Sequence, residues 1–157
     1  MTREPPLHVR RYREADHDAV WALHNLALHQ VGAHAGNGPW DDDLHHVPAE
    51  YLDSGGEFLV GVVDARIVAM GALKRLGPDR AEVKRMRVHP DLQRRGFGQA
   101  ILDRLQRRAA KLGVRHLRLE TTAGQVAAQE LYRANGFVEV GRTTYAGFDV
   151  LVFEKQL

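Results

Sequence analysis

The stretch that decides the reading is Ala81-Glu82-Val83-Lys84-Arg85-Met86-Arg87-Val88-His89-Pro90-Asp91-Leu92-Gln93-Arg94-Arg95-Gly96-Phe97-Gly98-Gln99-Ala100. Its first eight residues put Ala81 and Val83 on one side and Glu82 and Lys84 on the other, the period-two mark of a strand. Pro90 ends that strand. From Phe97 to Leu112 the period becomes helical: Phe97, Ile101, Leu102, Leu105, Ala109 and Leu112 form one apolar stripe, with Arg104, Arg107, Arg108 and Lys111 outside it. Gly113 stands at the C-cap position. A helix start has amides without partners and a partial positive charge, a ready place for phosphate. Gly96 and Gly98 lack a Cβ and let an anion approach the backbone. Arg94 and Arg95 add paired donors beside it. The segment therefore reads as a pyrophosphate cradle. It is not a Walker loop, because Gly-Lys-Ser/Thr is missing. The dinucleotide fingerprint fails too: the turn is too long, and Ile101 stands near where that pattern needs Gly or Ala.

Working outward, Leu7 to Tyr12 alternates like a strand. Asp16 to Gln30 reads as a helix with Asp16 as N-cap and Val20, Leu23, Leu26 and Ala27 on one face. Residues 32–43 form a loop, and Asp41-Asp42-Asp43 is expected to start a short helix through Tyr51 and Leu52. Phe58 to Val63 and Ile67 to Leu73 make a hairpin across Asp64-Ala65-Arg66. Past the long helix come a strand over His116 to Thr121, a helix over Val126 to Ala134, and strands over Val138 to Arg142 and Val150 to Phe153. The order β-α-α-β-β-β-α-β-α-β-β describes a mixed α/β sheet with one parallel crossover.

The 157 residues suit one domain spanning 1–157. Cysteine is absent, which excludes disulfides, thiolate metal sites and a cysteine nucleophile. The net charge is only +2, too small to imply general nucleic-acid binding. No apolar run reaches the roughly 18 residues of a membrane helix. Met1-Thr2-Arg3-Glu4-Pro5-Pro6 has no signal-peptide core, so a cytoplasmic, soluble protein is expected. His24, His29 and His34 are five apart, which turns them around a helix and not onto one face, so no metal site is expected. The arginine stripe of the long helix reads as a solvated face.

Three motifs in order resemble those of the GCN5-related N-acetyltransferase (GNAT) superfamily, and small bacterial acetyltransferases in particular. Gln93-x-x-Gly96-x-Gly98 looks like its Q/R-x-x-G-x-G/A motif. Val83 to Pro90 resembles the strand before that motif. Ala128-Gln129-Glu130-Leu131-Tyr132-Arg133-Ala134-Asn135-Gly136-Phe137 resembles the A-x-x-L-Y-x-x-x-G-F element. The resemblance implies a mostly antiparallel central sheet with a splayed parallel strand pair and helices on both faces.

It also implies acetyl-CoA as acetyl donor, in the gap between strands 81–88 and 116–121. The backbone of Met86, Arg87 and Val88 would pair with the pantetheine arm as an added strand does. Amides from Arg94 through Arg95, Gly96, Phe97 and Gly98 to Gln99 would hold the pyrophosphate, with side-chain help from Gln93 and Arg94. An amide near Met86 would polarise the thioester carbonyl. Tyr132 matches the family tyrosine that protonates the departing thiolate. Gln125 stands where the family often has a cofactor-contacting Asn. Glu82 is placed like the general base of the histone-acetylating branch, and it would take the proton of an acceptor ammonium.

The implied reaction is direct transfer to a primary amine of a small molecule or peptide in a ternary complex. Nucleic acid and membrane are not expected partners, and a homodimer is possible in this family. Trp40 with Asp41-Asp42-Asp43 and the segment Thr143 to Asp149 lie where the family builds its acceptor pocket. Two rival readings are a CoA-binding sensor without turnover and an RNA-associated domain.

Overall fold

The computed structural model describes residues 5–157. The expectation for the chain start falls largely on residues 1–4, outside the described residues. The described strands are β1 (His8–Arg11), β2 (Glu57–Val63), β3 (Arg66–Arg75), β4 (Arg80–Val88), β5 (His116–Thr122), β6 (Val138–Tyr145) and β7 (Phe148–Gln156). They form one sheet in the order β1-β2-β3-β4-β5-β7-β6. Every neighbouring pair is antiparallel except β4 with β5. The helices are α1 (His17–Gln30), α2 (Phe97–Lys111) and α3 (Val126–Ala134).

Alternation along β2 and β3 feeds two cores. Leu59, Ala69 and Leu73 join Ile101, Leu102, Leu105 and Ala109 of α2 and Tyr132 of α3. Phe58, Val60, Met70 and Ala72 join Val20 and Leu23 of α1 on the opposite face. Helices thus cover both faces, as expected. The fully buried Ile101, Leu102 and Leu105 each stabilise the α2 face by about 1.5–3 kcal/mol.

The parallel pair is short. It runs only from Arg80↔His116 to Val83↔Leu119, so residues 84–88 and 120–122 diverge into a gap. A bulge in β4 helps to open it. Ala72 faces Lys84 and Met70 faces Arg87, so three steps on β4 answer two on β3. Arg85 has φ +60°, a left-handed conformation that costs a residue with a Cβ about 1–2 kcal/mol. The extra residue shifts the side-chain phase. Val83, Met86 and Val88 face the α2 core, while Glu82, Lys84, Arg85 and Arg87 line a cavity on the α1 side.

Four expectations need correction. The second helix is a 3-10 segment, Pro39–His45, followed by a single π-helical turn, Pro48–Leu52. Asp16 precedes α1 but its carboxylate does not cap it. It accepts instead from both Arg10 Nη atoms, at 2.7 and 2.9 Å, and from the Arg13 amide at 2.8 Å. Leu26 is exposed, and His24 takes a buried place on α1. The last two strands are longer than expected because Ala146 (φ +51°) and Gly147 (φ +83°) make a two-residue turn of the hairpin-matching hand.

Candidate active site

Two cavities meet where β4 and β5 part. One, of about 460 Å³, runs toward the start of α2. It is lined by Met86, Arg87 and Val88 of β4, by Gln93, Arg94, Gly96, Phe97, Gly98 and Gln99 around the α2 start, and by Gln125 and Tyr132. Of the expected cofactor residues only Arg95 lies outside this lining.

The local geometry shapes the start of α2. Arg94 (φ +63°) and Gly96 (φ +80°) are both left-handed, so the chain coils tightly into the helix. Ala100 is the first residue to donate along α2, to the Gly96 carbonyl at 3.0 Å, which leaves the amides of Phe97, Gly98 and Gln99 to open the helix. A Cβ on Gly96 would meet nothing within 4 Å. Glycine is therefore needed there for backbone conformation, and the space in front of it is open. The Gln99 side chain is engaged elsewhere: it exchanges 2.8 Å hydrogen bonds with Asn135 and ties α2 to the end of α3. Gln93 Nε2 reaches the Gln30 side chain at 3.3 Å.

The other cavity, of about 430 Å³, lies over the sheet between α1, the 33–41 segment and the β6–β7 turn. Glu82 and Glu120 line it, as do Trp40, Tyr145 and Phe148. Trp40 and Tyr145 meet edge to face at 6.3 Å across its mouth. Four residues belong to both cavities: Met86, Arg87, Gln125 and Tyr132. Gln125 is held there by a 3.0 Å bond from Nε2 to Thr122 Oγ1.

Tyr132 is almost fully buried, its ring edge-on to Phe137 at 5.9 Å and tilted against Phe153 at 6.3 Å. Burial pushes its hydroxyl up to about 12, partly offset by the Arg87 cation, so it stays protonated at neutral pH. Burial also raises Glu82 above the ordinary carboxylate range, against the pull of Lys84 and Arg118. Arg118 Nη1 lies 3.5 Å from Glu82 Oε2. A carboxylate held high is a stronger proton acceptor than an exposed one.

Two of the three acids of the cluster, Asp41 and Asp43, are engaged within the protein, while Asp42 is exposed. Asp43 accepts from Arg85 Nε at 3.0 Å and Nη2 at 2.5 Å, and from the Tyr51 hydroxyl. Burial alone would raise Asp43; the Arg85 guanidinium and the Tyr51 hydroxyl hold it low. Asp41 accepts from His24 Nε2 at 3.0 Å and from Asn37 at 3.2 Å. Burial, reinforced by the Arg87 and Arg85 cations, lowers His24 to about 3. It is therefore neutral, donating from Nε2. His29 and His34, expected to diverge, stack at 4.0 Å because His34 lies beyond the end of α1. Among the described residues no group of three or more His, Cys, Asp or Glu could hold a metal ion.

Sequence reasoning missed His24, Arg85 and Glu120 as cavity residues. A charged side chain in the middle of a strand, at Arg85, was the available signal.

The model of the Acetyltransferase (GNAT) family matches residues 15–137. The chain belongs to that family. It is 39% identical over 72 residues to the [ribosomal protein bS18]-alanine N-acetyltransferase of Escherichia coli, a match over 46% of this chain and 49% of that protein. The chain thus spans about half the length of the curated relatives it matches. A GNAT acetyltransferase of Staphylococcus aureus Mu50 superposes with a TM-score of 0.89 at 19% identity, covering 96% of this chain and 99% of that one. A PaiA N-acetyltransferase of Thermoplasma acidophilum, solved in complex with coenzyme A, gives 0.79 at 16% identity, covering 97% and 99%. These structures share the fold.

Proposed function

We propose that the protein is an acetyl-CoA-dependent N-acetyltransferase acting on a primary amine. The observation that carries this reading is the meeting of two cavities across Met86, Arg87, Gln125 and Tyr132. A group-transfer enzyme needs both reactants in one place, which removes much of the entropic barrier. The open space before Gly96, with the amides that begin α2, fits the diphosphate of a CoA thioester. Val88, Met86 and Arg87 would accompany the pantetheine arm, and Gln93, Arg94 and Gln125 would flank it. The other cavity would hold the acceptor. The E. coli relative is named for acetylating an alanine of a ribosomal protein, which supports an amine acceptor here.

In the proposed reaction the amine attacks the thioester carbonyl carbon, a carbon–nitrogen bond forms and the carbon–sulfur bond breaks. Glu82 takes, directly or through water, the proton that the ammonium must lose before its amine can attack, and the second N–H proton, released as the amide forms, passes through water to the departing thiolate. A backbone amide near Met86, beside the bulge, would polarise the thioester carbonyl. The Tyr132 hydroxyl supports the charge that develops on the departing sulfur. Cysteine is absent, and direct attack is the simpler route than an acetylated enzyme.

The test is thiol release from acetyl-CoA across a panel of primary amines, with CoA binding followed by thermal shift. Turnover with at least one amine is expected. Tight CoA binding without thiol release from any amine would replace the enzyme reading with a sensor. Absence of CoA binding would remove both.

A further inference from the structure

We propose that Arg87 recognises a carboxylate lying within a few bonds of the acceptor amine, so that the acceptor is a free amino acid or a close analogue. The inference rests on the acetyltransfer reading and names its substrate class.

The argument starts from unmet polar groups. Among the described residues four buried side-chain polar atoms lack a hydrogen-bond partner: His24 Nδ1, Arg87 Nε, Arg108 Nε and Thr121 Oγ1. His24, Arg87 and Thr121 all line the acceptor cavity. Buried polar groups are nearly always satisfied, and a cluster of exceptions around one cavity points to a polar ligand that completes it.

Arg87 is the strongest of the three. Its one bond is from Nη1 to the Met86 carbonyl at 2.8 Å, and it makes no ion pair with a described carboxylate. The nearby acids are already engaged, Asp43 by Arg85 and Asp41 by His24. Arg87 remains a cation at neutral pH, although burial and the neighbouring Arg85 lower it to about 10. Asp41 and Asp43 act on Arg87 only at a distance, and a buried cation without a directly bonded counter-charge is costly unless a ligand brings one. Guanidinium matches carboxylate with two parallel donors.

Position sets the spacing. Arg87 lies in the wall shared by both cavities, beside Tyr132. An acceptor amine placed at the thioester therefore has Arg87 close by, and a carboxylate that reaches it belongs on the same small fragment as the amine. Glu82 and Glu120 sit on the same cavity for the ammonium. The bulge makes this possible, since regular alternation would point Arg87 with Val83 into the α2 core.

The experiment compares amino acids with their amides and their decarboxylated amines in the thiol-release assay, for the wild type, Arg87→Met and Arg87→Lys. The wild type is expected to prefer the acid over either neutral form by roughly ten- to a hundredfold in kcat/KM, the range of one charge-assisted hydrogen-bonded pair. Arg87→Met should reduce the preference to about threefold or less, and Arg87→Lys should retain part of it. CoA affinity is measured alongside for each variant, because Arg87 also lines the proposed donor cavity. Equal use of the amide, or a preference that survives in Arg87→Met, overturns the proposal. Loss of CoA affinity with an unchanged acceptor preference does so too, by assigning Arg87 to the donor. Thermal shift of the CoA-loaded protein with N-acetyl amino acids and their neutral counterparts needs no turnover and separates the two failures. A carboxylate-dependent shift lost in Arg87→Met, without thiol release, sinks the enzyme reading but keeps the carboxylate site. No such shift sinks the site.

Discussion

Replacing Tyr132 by Phe removes one oxygen at the junction of the two cavities and leaves the ring contacts with Phe137 and Phe153 in place. The energetics limit what that oxygen does. Burial puts the hydroxyl at about 12, while an ordinary thiol titrates near 8.5. Complete proton transfer to the departing sulfur is therefore uphill by about 3.5 units, or roughly 5 kcal/mol at ~1.36 kcal/mol per unit. A hydrogen bond to the developing thiolate avoids that climb and contributes about 1.5–3 kcal/mol. Tyr132→Phe should then lower kcat by roughly 10- to 150-fold. The acetyl-CoA Kd should change little. Among the described residues no side chain is hydrogen-bonded to the hydroxyl, so Tm should move by less than about 2 °C. Single-turnover thiol release, titration of acetyl-CoA and calorimetry read the three quantities. An unchanged kcat would refute a role for the hydroxyl. A fall in kcat matched by a drop of many degrees in Tm would show that Tyr132 acts only as packing. A loss well beyond a thousandfold would show that full proton transfer occurs.

Glu82→Gln should remove the acidic limb of the kcat/KM profile. In the wild type the rate falls as pH drops through the raised pKa of Glu82, so that limb should lie above about 4.5, the ordinary value for Glu. A limb that persists in the variant would assign the base elsewhere. Arg85→Ala leaves the buried Asp43 with Tyr51 alone and should cost about 3–5 kcal/mol in chemical denaturation. Arg85→Gly should cost about 1 kcal/mol less, because glycine tolerates φ +60°; equal costs would mean the bulge relaxes. His24 should make the fold acid-sensitive. Its folded pKa of about 3 lies below the unfolded 6.5, so its contribution is complete above 6.5 and is lost as pH falls toward 3. Between pH 6.5 and 5 the wild type should lose about 1–2 kcal/mol more than His24→Asn. Parallel stability curves would show that His24 protonates freely.

The elements and the open start of α2 were legible because their signals are local. The apolar stripe from Phe97 to Leu112 has one period and needs no partner to be read. Gly96 and Gly98 precede it in the chain, and Gln93 through Gln99 stay together whatever the rest of the molecule does. Tyr132 was legible only through its likeness to a family element, since a tyrosine beside a leucine on a helix is otherwise packing.

What the chain could not announce lies in β4. Period two assigns Arg85 and Arg87 to the face of Val83, the apolar side of the sheet. The tertiary structure places them on the other side, because Arg85 adopts φ +60° and forms a bulge. That conformation is unfavourable by itself. It accompanies contacts between Arg85 and Asp43, 42 residues away, and with the Trp40 carbonyl at 2.6 Å. The same long-range contacts occupy Asp43, one of the acids that looked free in the sequence. Local periodicity thus determined which segments are strands and helices and where an anion could sit. Which charges line the second cavity, and which are already neutralised, was decided by partners distant in the chain, because an ion pair depends on distance in space and not on spacing in sequence.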